Sequence, residues 1–222
     1  MSRLRSAFAR VFVDRHETPA EEFANALTHG IGFVLSGIGL ALLVRSALET
    51  GTGWRLASAL TFGLALLFTY GASTIYHAVR RGGLKDILCL IDHISIFVLI
   101  AGSYTPFLLS LMQDGFGWTF FSLIWGVAIF GIIYKLIAGT RFTAGSLLLY
   151  LGMGWMAVFL VKPLFAALPY AGFLWLVAGG LCYTLGCAFY VWRRLPYSHA
   201  LWHLFVMAGS ACHFVAIFRY VL

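Results

Sequence analysis

Two histidines four residues apart, His199 and His203, stand at the start of the last apolar segment of the chain. On an α-helix this spacing puts both imidazoles on one face, one turn apart. Two ligands of one metal ion need this geometry. A bare HxxxH is a weak signal. It gains weight from two other polar clusters, Ser73 with His77 and Asp92 with His93, which fall inside apolar segments at the same expected depth. Ionisable groups inside membrane spans are costly and are functional by default. His77, His199 and His203 are therefore the expected ligands, for Zn2+ first among the first-row metals. Three imidazoles plus water is the open arrangement of a catalytic site. Asp92 would then accept a hydrogen bond from the water. Ser73, one turn before His77 on the same face, would bond that water or a substrate oxygen.

Each residue taken alone has a plainer reading. His77 could cap a helix C-terminus, and Asp92 could be a helix N-terminal charge near Lys85. His93 follows Asp92 and points about 100° away, which suits a supporting or interfacial role. His213 lies ten residues beyond His203, about 15 Å along the axis. It cannot share the metal and is expected to hydrogen-bond within the bundle. Glu21, Asn25, Thr28 and Gly32 share one face of the first helix. Together with His29 they either line a cavity and support the ligands, or form a capped and solvated helix start.

The elements that must position these groups are long apolar helices. The 222 residues are 61% hydrophobic and 10% charged, with a mean hydropathy of +0.91. Soluble domains run at about 45–50% apolar and about 25% charged. Unbroken apolar runs without strand alternation select a helical bundle over a barrel. The fold class is all-α, a seven-helix transmembrane bundle. Its spans are expected at about 25–44, 54–79, 87–112, 117–137, 143–164, 170–192 and 199–221. Thr18-Pro19-Ala20-Glu21 is a helix start with a capping box. Small residues in the first, fifth and sixth spans, among them Gly32, Gly37, Gly152, Gly154, Gly179 and Gly180, predict close helix contacts. The four cysteines all fall in apolar segments and read as buried hydrophobes, not a disulfide framework.

Residues 1–17 form a basic segment, read as cytoplasmic, and 18–222 the membrane domain. No signal peptide is read in the first residues. The net charge of +7 is topological and not a nucleic-acid signature. Eleven Lys and Arg fall on the side of the N-terminus and four, Arg45, Arg55, Lys162 and Arg219, on the other. The positive-inside rule then puts the N-terminus in the cytoplasm and the C-terminus outside.

Glu21-Glu22-Phe23-Ala24-Asn25-Ala26-Leu27-Thr28-His29-Gly30 resembles the first motif of the hemolysin III proteins, the bacterial branch of the progestin and adipoQ receptor family. Ser73-Thr74-Ile75-Tyr76-His77 with Leu90-Ile91-Asp92-His93 is similar to the second motif. His199-Ala200-Leu201-Trp202-His203 with His213-Phe214 is similar to the third. The match runs from about residue 18 to 222. The resemblance implies seven helices with a cytoplasmic N-terminus, and a zinc ion on His77, His199 and His203 with Asp92 and Ser73 around its water. The long N-terminal domain and C-terminal extension of the animal receptors have no counterpart, so a hormone-receptor role is not expected.

The leading expectation is a zinc-dependent intramembrane hydrolase of a lipid amide or ester, with Asp92 as general base and Ser73 placing substrate. The family's animal members and the related alkaline ceramidases imply this chemistry. The alternative is a non-enzymatic membrane regulator with structural zinc. A pore-forming cytolysin ranks lower, because no amphipathic stretch would convert a soluble form to an inserted one. A bis-histidine haem protein leaves Asp92 without a role. The expected partner is a membrane lipid, the expected location the bacterial cytoplasmic membrane, and a homo-oligomer is compatible with the sequence.

Overall fold

A computed structural model describes residues 17–222, apart from 52, 80, 81, 140–142 and 193. Of the basic segment only Glu17 is described. Arg80, Arg81, Arg141 and Arg193, used in the orientation argument, also lie outside the described residues.

The helices are α1 (Pro19–Thr50), α2 (Gly53–Ala78), α3 (Gly83–Leu111), α4 (Gly115–Ala138), α5 (Thr143–Trp155), a 3-10 turn (Met156–Leu160), α6 (Val161–Ala167), α7 (Tyr170–Val191) and α8 (Ser198–Tyr220). No strand occurs among the described residues. Among the described residues, seven helices are long and apolar enough to cross a membrane, the stretch through α5 and α6 counting as one. The expected spans are all present, with α1 reaching further at both ends than expected.

Local chemistry sets the ends. Thr18 caps α1: its Oγ1 accepts from the Glu21 N–H at 3.2 Å, and Glu21 Oε2 accepts from the Thr18 N–H at 2.9 Å. Pro19 sits where a missing N–H costs nothing. Gly51 ends α1 in the left-handed region, φ 76°. Asp114 caps α4 by accepting from the Gly117 N–H at 2.8 Å.

The fifth span departs from the continuous helix expected over 143–164. Pro163 has no N–H for the carbonyl one turn back, and its ring crowds that carbonyl. The chain passes through the 3-10 turn Met156–Leu160 just before it. The change of hydrogen-bond register disturbs the carbonyls at its start. Tyr104 of α3 meets this, donating to the Met153 and Gly154 carbonyls, each at 2.8 Å. In hydrocarbon such groups need a protein partner.

α1 packs on α2, α2 on α3, α3 on α4, α7 on α8, and α8 closes back on α1. The core is apolar, with Phe62, Phe97, Leu108, Ile124, Leu160 and Ile217 nearly inaccessible. Outward positions such as Phe23, Phe130 and Ile137 are exposed and equally apolar, which suits lipid and not water. The glycine expectation holds in part. Gly32 lies against the Tyr70 ring and Gly179 against His213, whereas Gly37, Gly152, Gly154 and Gly180 face open space.

Candidate metal centre

Because successive spans alternate in direction, the start of α1, the end of α2, the start of α3 and the start of α8 share one end of the bundle. His77 comes from the last turn of α2, His199 and His203 from the first two turns of α8. One ligand atom from each of the three lies within 4.8 Å of the others. His77 and His203 are buried and His199 is half-buried. The three expected ligands are therefore brought together.

Their outer nitrogens face α1 and Glu17, which stands just before its cap. His77 Nδ1 donates to Glu22 Oε2 at 2.7 Å. His203 Nδ1 lies 3.2 Å from the Asn25 carbonyl and 3.1 Å from Thr28 Oγ1. A carbonyl can only accept, so Nδ1 carries the proton and Nε2 is left unprotonated, able to bind a metal. His199 Nδ1 is 3.6 Å from Glu17 Oε1, and Glu17 Oε2 is 3.9 Å from His77 Nδ1. Histidines that bind metals are usually held in this way from the other ring nitrogen. The Nε2 atoms of His77 and His203 are buried without a hydrogen-bond partner among the described residues. Unpaired buried polar atoms call for an explanation, and a cation between them supplies one. The donor set fits a metal ion.

Glu17 and Glu22 are the supporting residues that sequence reasoning missed. Glu22 also accepts from Lys85 Nζ at 2.5 Å. Helical spacing was the available signal, since Glu22, Asn25 and His29 recur at intervals of three and four. Glu17 precedes the cap residue, at the end of the basic segment, where helical spacing gives no signal.

Glu21 completes the expected capping box and also reaches the start of α8. Its Oε1 accepts from the Tyr197 N–H at 3.1 Å while Oε2 closes the Thr18 box. Tyr197 sits immediately before α8 at φ 56°, a costly conformation for a residue with a side chain. Glu21 thus ties the start of α1 to the turn that launches His199 and His203. Asn25 Nδ2 donates to Glu17 Oε2, and Thr28 Oγ1 lies 2.9 Å from the Ala24 and Asn25 carbonyls. His29 is buried and stacks flat on His203, ring centres 3.4 Å apart.

Asp92 is buried, yet it does not join the compact group of the three histidines. The Ser73 hydroxyl lies beside its carboxyl, short of full hydrogen-bond geometry. His93 sits apart from the cluster's ligand set, with Nδ1 3.8 Å from Cys89 Sγ and its carbonyl accepting from Tyr150 at 2.7 Å. His213 hydrogen-bonds within the bundle as expected, Nε2 lying 3.3 Å from the Leu176 carbonyl.

Seven apolar helices around a buried histidine cluster define a multi-pass membrane protein with a candidate metal centre. The chain belongs to the family described as Haemolysin-III related, whose sequence model matches residues 18–214. It is 44% identical over 203 residues to the Hemolysin-3 homolog of Bacillus subtilis (strain 168), covering 91% of this chain and 95% of that protein. It is 42% identical over 202 residues to Hemolysin-3 of Bacillus cereus, covering 91% and 92%. Over 238 residues it is 29% identical to the human Monocyte to macrophage differentiation factor, covering 99% and 95%. The bacterial and animal relatives together bear out the hemolysin III and progestin and adipoQ receptor resemblance.

Proposed function

We propose that the chain is a zinc-dependent hydrolase of membrane lipid amides or esters, resident in the bacterial cytoplasmic membrane with its N-terminus inside. One observation carries the reading: three imidazoles from two helices present ligand atoms within 4.8 Å of one another in an otherwise apolar bundle. His77, His199 and His203 would hold the ion. A zinc ion in such a site acts as a Lewis acid on a carbonyl and activates water at neutral pH. The chain's own groups do the rest. Glu22, and the Asn25 carbonyl with Thr28, fix the rings of His77 and His203. Asp92 would take the proton of the attacking water and pass it to the leaving amine or alcohol oxygen as the carbonyl–heteroatom bond breaks, and Ser73 would donate a hydrogen bond to the substrate oxygen.

The test is metal analysis of detergent-purified protein beside a His199→Ala/His203→Ala variant. About one zinc per chain, lost in the variant, is expected. Hydrolysis of a fluorescent ceramide by wild type and Asp92→Asn then follows. Zinc at the normal level with turnover lost in Asp92→Asn supports the mechanism. Equal turnover in both sinks it, and no zinc in the wild type sinks the site.

The anchoring of His77 and His203 to α1 favours a second reading, a non-enzymatic regulator whose zinc pins α2 to α8. In that case Asp92→Asn changes little, while His203→Ala lowers thermal stability.

A further inference from the structure

Away from the histidine cluster, α7 and α8 touch backbone to backbone. A Cβ on Gly179 would lie 3.1 Å from the Gly209 carbonyl oxygen and 2.3 Å from the His213 ring, and one on Gly209 would lie 2.9 Å from the Tyr183 ring. Each of these two glycines is followed three residues later by a cysteine, Cys182 on α7 and Cys212 on α8. Three residues turn a helix by about 300°, so each cysteine stands about 60° to one side of the contact line. The two helices run antiparallel, and equal turns therefore carry both cysteines to the same side of the seam. Their thiols meet there, and Tyr183 neighbours both.

The pair lies deep in the span. Cys182 is about 18 Å along α7 from Tyr170, and Cys212 about 21 Å along α8 from Ser198, near the middle of a ~30 Å hydrocarbon core. Both side chains are half-buried. Leu185, one turn beyond Cys182, and Ala208, one turn before Cys212, are exposed. This side of the seam opens to lipid, so a reagent must dissolve in hydrocarbon to reach it.

The other two cysteines are engaged differently. Cys187 Sγ lies 3.3 Å from the Tyr183 carbonyl oxygen, and Cys89 Sγ 3.8 Å from His93 Nδ1. A disulfide needs Cα atoms about 4.4–6.8 Å apart. Packed helices usually stand about 8–10 Å apart, axis to axis, and glycines in contact bring them closer. The Gly179–Gly209 contact supplies that approach one turn from each thiol.

We propose that Cys182 and Cys212 form a dithiol that a lipid-soluble quinone oxidises to a disulfide, stapling α7 to α8. Two S–H bonds break and one S–S bond forms. The quinone takes up both electrons and both protons on its carbonyl oxygens and leaves as the hydroquinone. Glutathione is charged and stays in water, so it neither forms nor reduces the bond at this depth. The staple fixes the helix that carries His199 and His203 against its neighbour. It depends neither on the metal nor on hydrolysis.

The reduced full chain is reconstituted in lipid vesicles, freed of reductant, and given decylubiquinone or, separately, oxidised glutathione. Peptide mapping without reduction then reads the cross-links. Decylubiquinone is expected to join the Cys182 and Cys212 peptides and to release about one hydroquinone per chain, and oxidised glutathone-treated vesicles are expected to show at least tenfold less of the link. After extraction in detergent, the oxidised protein is expected to unfold roughly 5 °C or more above the reduced protein. Cys212→Ser is expected to show neither link nor shift, and Cys182→Ser gives the same reading if Cys212→Ser folds poorly. No link in the wild type after decylubiquinone overturns the proposal, as does a quinone adduct on a single cysteine without the link. Equal linkage by oxidised glutathione overturns it too, because the thiols are then open to water.

Discussion

Glu22 and His77 meet across α1 and α2, with the carboxylate Oε2 2.7 Å from the imidazole Nδ1. The carboxylate fixes the ring that α2 delivers, and Lys85 from α3 fixes the carboxylate in turn. Glu22→Gln keeps the shape but removes the charged acceptor that holds the His77 ring. Removing such a partner typically lowers metal affinity by about 10–100-fold. Competition with a zinc-binding dye is expected to show a loss in that range without loss of folded protein.

Thr28→Val leaves the Asn25 carbonyl in place as the partner of His203 Nδ1. Only the hydroxyl at 3.1 Å is lost. The same titration is expected to give a smaller loss than Glu22→Gln. An equal or larger loss would show that the hydroxyl, and not the carbonyl, holds His203.

Glu21→Ala removes the acceptor of the Tyr197 N–H and half of the capping box. The amides from Tyr197 through the first turn of α8 are then expected to exchange with solvent faster, read by hydrogen–deuterium exchange in detergent. An unchanged rate there would mean that the left-handed Tyr197 turn does not depend on Glu21.

Tyr104→Phe leaves the Met153 and Gly154 carbonyls without their hydroxyl donor inside the bundle. An unsatisfied buried group costs about 1–3 kcal/mol, and a chain of this size loses roughly 2–4 °C of Tm per kcal/mol. Thermal unfolding in detergent is expected to shift down accordingly.

Of two changes at the start of α4, Gly117→Ala should be the more damaging. A Cβ there would lie 1.8 Å from the Met112 carbonyl oxygen, which belongs to the backbone and has little room to retreat. Asp114→Ala removes only the cap, about 1 kcal/mol. Thermal unfolding of the two variants is expected to rank Gly117→Ala below Asp114→Ala.

Much of this was legible in the sequence because membrane burial makes polarity rare. In so apolar a chain, His77, His199 and His203 stood out, and helical spacing placed them at one end of the bundle. Thr18 and Glu21 announced the start of α1 through their types and separation. What was not legible depended on contacts between distant segments. Nothing local distinguishes Glu22, which holds His77, from Glu21, which holds the Tyr197 turn. Only the rotation of α1 against α2 and α8 decides that. Pro163 was visible, but the register change before it required the Tyr104 hydroxyl from another helix. The depth of Asp92 is readable from its place in α3, whereas which groups gather within ligand distance of one another is not.

The three clustered imidazoles come from the second and seventh spans, with four spans between them in the chain. During insertion His77 therefore enters the membrane long before His199 and His203 exist. Over that interval it already has Glu22 of the first span as a neighbour, and Lys85 follows with the third. The first two helices and the start of the third can thus assemble a partly neutralised half-site early. Completion of the cluster then reports that the final span has been inserted and has turned to meet the first.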